Sequence, residues 1–224
     1  MTKYSVTDES WNPYWIVKSE QTSGILNDFM LQLDQHLNTS LIANSPLPNK
    51  RAQMRFKEGA IKIECCVNEA WRTSPEQAEV SLWSDVVMSV EEVLIFPAGQ
   101  RFEFNKLEDL KGKTIATVRG YGYVGDNYFQ RSDSGDNISQ IQKVALGRTD
   151  AGIIDRVELA YTLKNSKVLK ERNIKIEVGP VINRSELKIR VHISRPKLIA
   201  QINAALAKMK QDGTIQNIID KYIE

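Results

Sequence analysis

Histidine and cysteine are the scarce residues of this chain, two of each in 224. His36 and His192 lie far apart and the cysteines are neighbours, at 65 and 66, so no zinc-ligand spacing can be assembled and no metal is expected. Long apolar runs are also missing. Nothing approaches the roughly 20 residues of a transmembrane helix, and the N-terminal MTKYSVTDESW lacks the apolar core of a signal peptide. Charge of one sign is not in excess: 30 Lys and Arg stand against 28 Asp and Glu, dispersed along the chain, for a net +2. That balance points to neither a nucleic-acid partner nor an anionic membrane surface. There is no internal repeat and no low-complexity tract.

What is present is a 42% hydrophobic chain, long enough to bury a core as one large domain or two small lobes. Strand and helix patterns alternate. Lys3 to Val6 reads as a first strand. Residues 24 to 37 put Ile25, Leu26, Phe29, Met30, Leu33 and Leu37 on one helical face, a core stripe. Residues 44 to 50, with two prolines and two asparagines, form a loop, and Ile61 to Val67 is the next strand. Near the end, Pro196 opens a helix whose apolar set is Leu198, Ile199, Ile202, Leu206 and Met209, closed by Gly213. Val93 to Phe96 would carry the chain out of a first lobe. The alternating Leu187, Ile189, Val191 and Ile193 would bring it back.

Two stretches look able to hold a small ligand. Thr114 to Val118 is a short buried-strand pattern that stops at Arg119-Gly120-Tyr121-Gly122, ahead of an expected helix. Two glycines two apart allow positive φ and close approach of backbone N–H groups, and a helix start would favour an anion; a plain turn explains the glycines nearly as well. The second stretch, ALGRTDAGIID, reads as the end of a helix, a stop at Gly147, a strand from Ala151 to Ile154, and Asp155 as N-cap of the helix VELAYTL. Capping and ligand binding are compatible.

Taken in order, LxDLKGKxIxxxxG, GRxDAxxxD and a terminal PxLIxxINxALxxMKxDGTxxxIxxKY resemble the bacterial extracellular solute-binding proteins of family 3, amino-acid-type receptors of ABC importers. The resemblance runs from about residue 4 to 224 and is densest after Leu107. It implies an α/β, two-lobed periplasmic-binding-protein-like fold of type II, each lobe a mixed sheet flanked by helices, joined by two hinge crossings. Lobe 1 would comprise residues 1–97 with 191–224, and lobe 2 residues 98–190, with ligand enclosed by hinge closure near 94 to 98 and 189 to 193. The resemblance also assigns ligand contacts. In DESWNPY these are Asp8, Trp11 and Tyr14; after the strand Ile61 to Val67, Asn68 and Trp71; in the second lobe, Tyr121, Gly122 and Asp155, the last matching a carboxylate that binds an α-amino group. Tyr14, and less readily Trp11, can instead be partly buried lobe residues.

One departure bears on the ligand. Family members carry an arginine that grips the ligand carboxylate, and aligning Trp83-Ser84 with the family's aromatic-Ser pair puts Gln77 in its place. An amide supplies no charge and no guanidinium fork. Arg72, five residues earlier, is a candidate substitute, or else a surface arginine with its stem over Trp71. Arg119 is another candidate cation, or the partner of a surface acid. With Tyr121-Gly122-Tyr123 in place of small hydroxyl residues, an aromatic-lined site is expected. Cys65 and Cys66 are either two thiols on opposite faces of a strand or, in an oxidising compartment, a vicinal disulfide.

The function these readings imply is capture of a small polar, amine-bearing or amino-acid-like solute for ABC import. The partners would be that ligand and an inner-membrane permease, the chain being a periplasmic monomer with its signal peptide removed. No cofactor and no catalytic residue is expected, since the matched loops show no evident acid and base pair. Two alternatives share the fold: a ligand sensor signalling to a membrane partner and, less favoured, a periplasmic enzyme.

Overall fold

The computed structural model describes residues 1–19 and 21–224. In chain order the elements are β1 (Thr2–Tyr4), β2 (Ile16–Lys18), β3 (Gln21–Ser23), α1 (Ile25–Gln35), β4 (Leu41–Ala43), α2 (Asn49–Lys57), β5 (Ile63–Val67), α3 (Pro75–Ala78) and β6 (Ser81–Pro97). There follow β7 (Thr114–Val118), β8 (Gln130–Ser134), α4 (Asn137–Ala145), β9 (Ala151–Asp155), α5 (Arg156–Asn165), α6 (Lys167–Glu171), β10 (Ile176–His192), α7 (Pro196–Gln211) and α8 (Thr214–Ile223). The chain divides into two compact units, Met1–Ser89 with Glu186–Glu224, and Val90–Ser185. Both divisions fall inside the 17-residue strands β6 and β10.

The first unit is built on a mixed set of strands. β1 pairs in parallel with β4 and β5, and the C-terminal half of β10 returns antiparallel to β5, with Arg190 opposite Glu64 and Val191 opposite Ile63. Helix α1 buries Ile25, Leu26, Phe29, Met30 and Leu33, the expected stripe, and packs on α7 and α8. Leu37 falls beyond the end of the helix. Each of these side chains contributes roughly 1.5–3 kcal/mol by leaving water. The start of α1 depends on Gly24, whose φ is +108° and whose missing Cβ would stand 2.6 Å from the carbonyl oxygens of Pro13 and Tyr14. Those carbonyls accept the N–H groups of Ile25 and Leu26, so the loop carrying Trp11 and Tyr14 is tied to the helix. The C-terminus is tied there too, because the Tyr222 hydroxyl accepts from Gly24 N–H and donates to Asp28.

In the second unit β9 lies between β6, antiparallel to it, and β7, parallel to it, and β8 extends the set beyond β7. Strand alternation divides the core. Val93, Ile95, Ala116 and Ile154 face α4 and α5 residues Ile141, Val144 and Leu159, while Leu94, Phe96, Ile115 and Ile153 pack with Leu110, Tyr123 and Phe129. Gln140, fully buried on α4, donates to the carbonyls of Ala116 and Ile153 and so links β7 to β9.

Two expectations change, and one open alternative is decided. No helix follows Arg119-Gly120-Tyr121-Gly122: residues 119 to 129 are turns leading to β8. Gly120 reverses the chain at φ +86°, Tyr123 and Phe129 are drawn into the core, and the Arg131 guanidinium takes up the carbonyls of Val118 and Tyr121. The segment therefore offers no helix start to an anion. The alternation over 187 to 193 also misleads about its other face, because Arg190 and His192 are buried while Ile193 is half exposed just past the strand. Finally, Cys65 and Cys66 are joined as a vicinal disulfide, and both are buried.

Candidate functional site

In open α/β sheets, the loops leaving the carboxyl ends of parallel strands are where ligands bind, because there the chain turns back and leaves a crevice. In each unit the candidate residues sit at such ends. In the first, β1 leads to Asp8, Trp11 and Tyr14, and β5 leads to Asn68, Trp71 and Arg72. In the second, β7 leads to Arg119, Tyr121 and Gly122, and β9 ends on Asp155.

In the first unit three aromatic rings gather. Trp11 is fixed by a reciprocal backbone pair with Trp15, both at 2.8 Å, and its ring lies 4.2 Å from that of Tyr14 and 6.3 Å, edge-on, from Trp71. Tyr14 is buried to 2%, a core member of the unit, whereas Trp71 is 47% exposed and presents the cluster to solvent. Asn68 holds the loop: its Oδ1 caps the short turn Glu69–Trp71 at Ala70 N–H, and its Nδ2 donates to the Glu186 carbonyl. Asp8 is exposed on its turn, where its N–H donates to the Leu47 carbonyl.

Arg72 is neither an outward anion receptor nor a surface side chain. Its Nε and Nη2 donate to Glu64 at 3.1 and 2.6 Å, and its Nη1 donates to the Trp71 carbonyl. Glu64, 5% exposed, also accepts from Arg190 Nη1 at 2.9 Å and from Gln53 Nε2 at 2.6 Å. Arg190 is 1% exposed, lies 4.0 Å over the Phe56 ring, and donates further to Ser81, Gln53 and the Gln77 carbonyl. Burial pushes the Glu64 carboxyl up, but the hydrogen bonds and charges of Arg72 and Arg190 outweigh it, and the group sits below its ordinary value. Gln77 contributes its carbonyl to Arg190 and directs Nε2 toward Gln53 at 3.4 Å. Sequence reasoning missed Glu64, Gln53 and Arg190. The available signal was a charged residue inside each of two strands otherwise rich in apolar side chains.

In the second unit Asp155 is 8% exposed. Its Oδ1 accepts from Val157 and Glu158 N–H, both at 3.0 Å, as the expected N-cap, and its Oδ2 accepts from Glu91 N–H at 3.1 Å. Directly across the β6–β9 pair stands Glu92. Burial raises its carboxyl, a hydrogen bond from Asn183 opposes the rise, and the charge of Asp155 adds to it. Glu158 is buried beside them and accepts from Asn137. Tyr121 is 39% exposed on the turn after β7, with Gly122 exposed beside it. Arg119 is exposed and its charge helps hold Asp133 below its ordinary value, behind the larger effects of hydrogen bonds from Thr117 and Arg131. The structure thus places Asp155 and the Tyr121 turn at the ends of neighbouring strands.

The description of one family fits residues 5–224, nearly the whole chain. The chain belongs to the bacterial extracellular solute-binding proteins, family 3. Members of family 3 are extracytoplasmic, bind small ligands and work with ABC transporters. Among curated relatives, this family-3 chain is 23% identical over 207 residues to the L-cystine-binding protein TcyJ of Escherichia coli K12, covering 89% of this chain and 74% of that one. Among solved structures, it matches YCKB_BACSU from Bacillus subtilis with a TM-score of 0.76 and 16% identity, over 99% of this chain and 89% of the other. It also matches an ancestral cationic amino acid solute-binding protein, AncCDT-1, with a TM-score of 0.73 and 19% identity, over 100% and 95% of the two chains. These structural likenesses establish the two-lobed fold of periplasmic binding proteins.

Proposed function

We propose that this family-3 protein captures a small amine-bearing or amino-acid-like solute outside the cytoplasm and delivers it to an ABC permease. The observation that carries the reading is Asp155: a buried carboxyl group at the end of a parallel strand, bonded by three backbone N–H groups. A carboxylate in that setting favours a cationic, donor-rich group, because burying it opposite an apolar ligand is costly. Tyr121, 39% exposed on the turn after the neighbouring strand β7, adds an aromatic ring to that reading. Two of the relatives, a cystine-binding protein and a cationic amino acid solute-binding protein, are named for ligands that carry ammonium groups, which supports an ammonium-bearing ligand here. In this reading the protein acts as a periplasmic monomer and performs no chemistry of its own.

Mass spectrometry of small molecules released by denaturing the purified protein should return a compound with a protonatable nitrogen. Calorimetry with that compound should show Asp155→Asn weakened by about 1.5–3 kcal/mol, the range for a hydrogen bond to a charged group. Unaltered affinity of the variant, or a released ligand without a basic nitrogen, would refute the assignment.

A further inference from the structure

The pairing of β5 with β10 changes register by one residue in mid-strand. Val67 stands opposite Lys188, but Glu64 stands opposite Arg190 and Ile63 opposite Val191, so Cys65 and Cys66 together face the single residue Ile189. Two residues against one make a β-bulge, and the disulfide joins the two bulged residues to each other. Ile189 N–H, opposite the bulge, donates to Ser84 Oγ at 2.9 Å. A bulge decides which side of a strand each later residue faces, because side chains alternate and one extra residue inverts the order of faces beyond it. Beyond this one lies the loop with Asn68, Trp71 and Arg72.

The ties on the two sides of the bulge are unequal. Toward the start of the strand, Glu64 is 5% exposed and accepts from Arg190, Arg72 and Gln53. Toward its end, Asn68 donates to the Glu186 carbonyl, and Lys188 meets Glu69 at 3.1 Å with side chains 25% and 55% exposed. An ion pair so exposed contributes about 0–1 kcal/mol. Without the S–S bond nothing covalent keeps the extra residue at 65 and 66, and the weakly held direction, past Val67, is the one in which it can migrate. That step turns Val67 to the other face and breaks the bond of Asn68 to Glu186. Arg72, at the far end of the loop, stays on Glu64, so the loosening is confined to residues 67–71.

We propose that the Cys65–Cys66 disulfide is a redox-sensitive lock on this bulge: oxidised, it holds the 68–71 loop and the Trp71 ring in one presentation; reduced by a dithiol, it lets the bulge migrate and the loop lose its order. The device lies wholly in the first unit and does not depend on amine capture by Asp155. In the exchange, a thiolate of the dithiol attacks one sulfur to form a mixed disulfide, and the other sulfur leaves as a thiolate and takes up a proton. The second thiol of the reagent then displaces the first sulfur in the same way. The dithiol is oxidised by two electrons, and Cys65 and Cys66 become two thiols. Both cysteines are buried, so attack follows local opening of the strand end, again on its weakly tied side.

Hydrogen exchange of backbone amides, read residue by residue by NMR, tests this on the whole chain in three forms: oxidised, held in dithiothreitol, and Cys65→Ser/Cys66→Ser. Alkylation of the folded protein in dithiothreitol should find two thiols. In that sample and in the double variant, amides of residues 67–71 should exchange about tenfold or more faster than in the oxidised protein, while Ile63, Glu64 and the second unit keep their rates. Reoxidation should restore slow exchange in the unaltered protein only. The reduced unaltered protein decides the matter if the double variant does not fold. Unchanged exchange at residues 67–71 in the reduced protein would overturn the lock. An equal rise throughout the first unit would overturn it too, because it marks general destabilisation and not a released bulge. Thiols that appear only on unfolding would overturn its redox sensitivity.

Discussion

Removing the carboxylate of Glu64 should cost far more stability than removing the guanidinium of Arg190, although the two share one buried ion pair. Glu64 accepts four hydrogen bonds, from Arg72 Nε and Nη2, Arg190 Nη1 and Gln53 Nε2. Glu64→Gln keeps the shape but leaves Arg190, 1% exposed, as an uncompensated charge, which costs about 3–5 kcal/mol when one partner of a buried pair is deleted. Arg190→Met leaves Glu64 still paired with Arg72 and fills the space over Phe56 with a polarizable apolar chain, so a loss of only about 1 kcal/mol is expected. In the double variant the orphaned guanidinium is gone, and about 2 kcal/mol of the Glu64→Gln loss should return. Urea unfolding at neutral pH measures all three, provided the slope with denaturant stays constant. Equal losses in the two single variants, or simple additivity in the double, would refute the reasoning. The pH dependence gives a second check. A carboxyl whose folded pKa is depressed contributes stability that is fully present above its unfolded value, about 4.3, and is lost as pH falls through the folded value. The gap between the unaltered protein and Glu64→Gln should therefore be widest above pH 5 and narrow on acidification below pH 4.

Glu92 carries the opposite sign: its folded pKa is raised, chiefly by burial, so its ionisation costs stability as pH rises from the unfolded value through the folded one. Glu92→Gln keeps an acceptor for Asn183 and removes a like charge opposite Asp155, so it should stabilise by up to about 1 kcal/mol at pH 7, with the gain vanishing below about pH 4; a thermal melt in which the gain is the same at both pH values would refute this. Protein purified without reductant should show no alkylatable thiol on denaturation, because Cys65 and Cys66 are bonded to each other, and two alkylated cysteines in that material would contradict the pairing.

Much of the architecture was written locally. The 3.6-residue stripe from Ile25 to Leu33, the capping carboxylate of Asp155, the proline that opens α7 and the β-branched run at Thr114 to Val118 depend on neighbours a few residues away, and periodicity and capping chemistry read such relations directly. Local pattern also placed Arg119, Tyr121, Gly122 and Asp155 at strand ends, while the remaining candidates came from the family resemblance. It failed at Arg119 to Phe129, where a glycine turn and two buried aromatic side chains prevail over the helix that the spacing suggested. It also could not say whether Arg72 faces a ligand or the interior. That was decided by the register of β10 against β5, which sets Arg190 opposite Glu64 across 126 residues of sequence and brings Gln53 and Phe56 of α2 over them. A charged side chain in a strand reads as a solvated edge until its partner is known, and the partner is supplied only by folding. The sequence alone therefore determined which loops are candidates for solute recognition; the tertiary pairing of Glu64 with two arginines determined that Arg72 turns inward, because only folding brings those charges together.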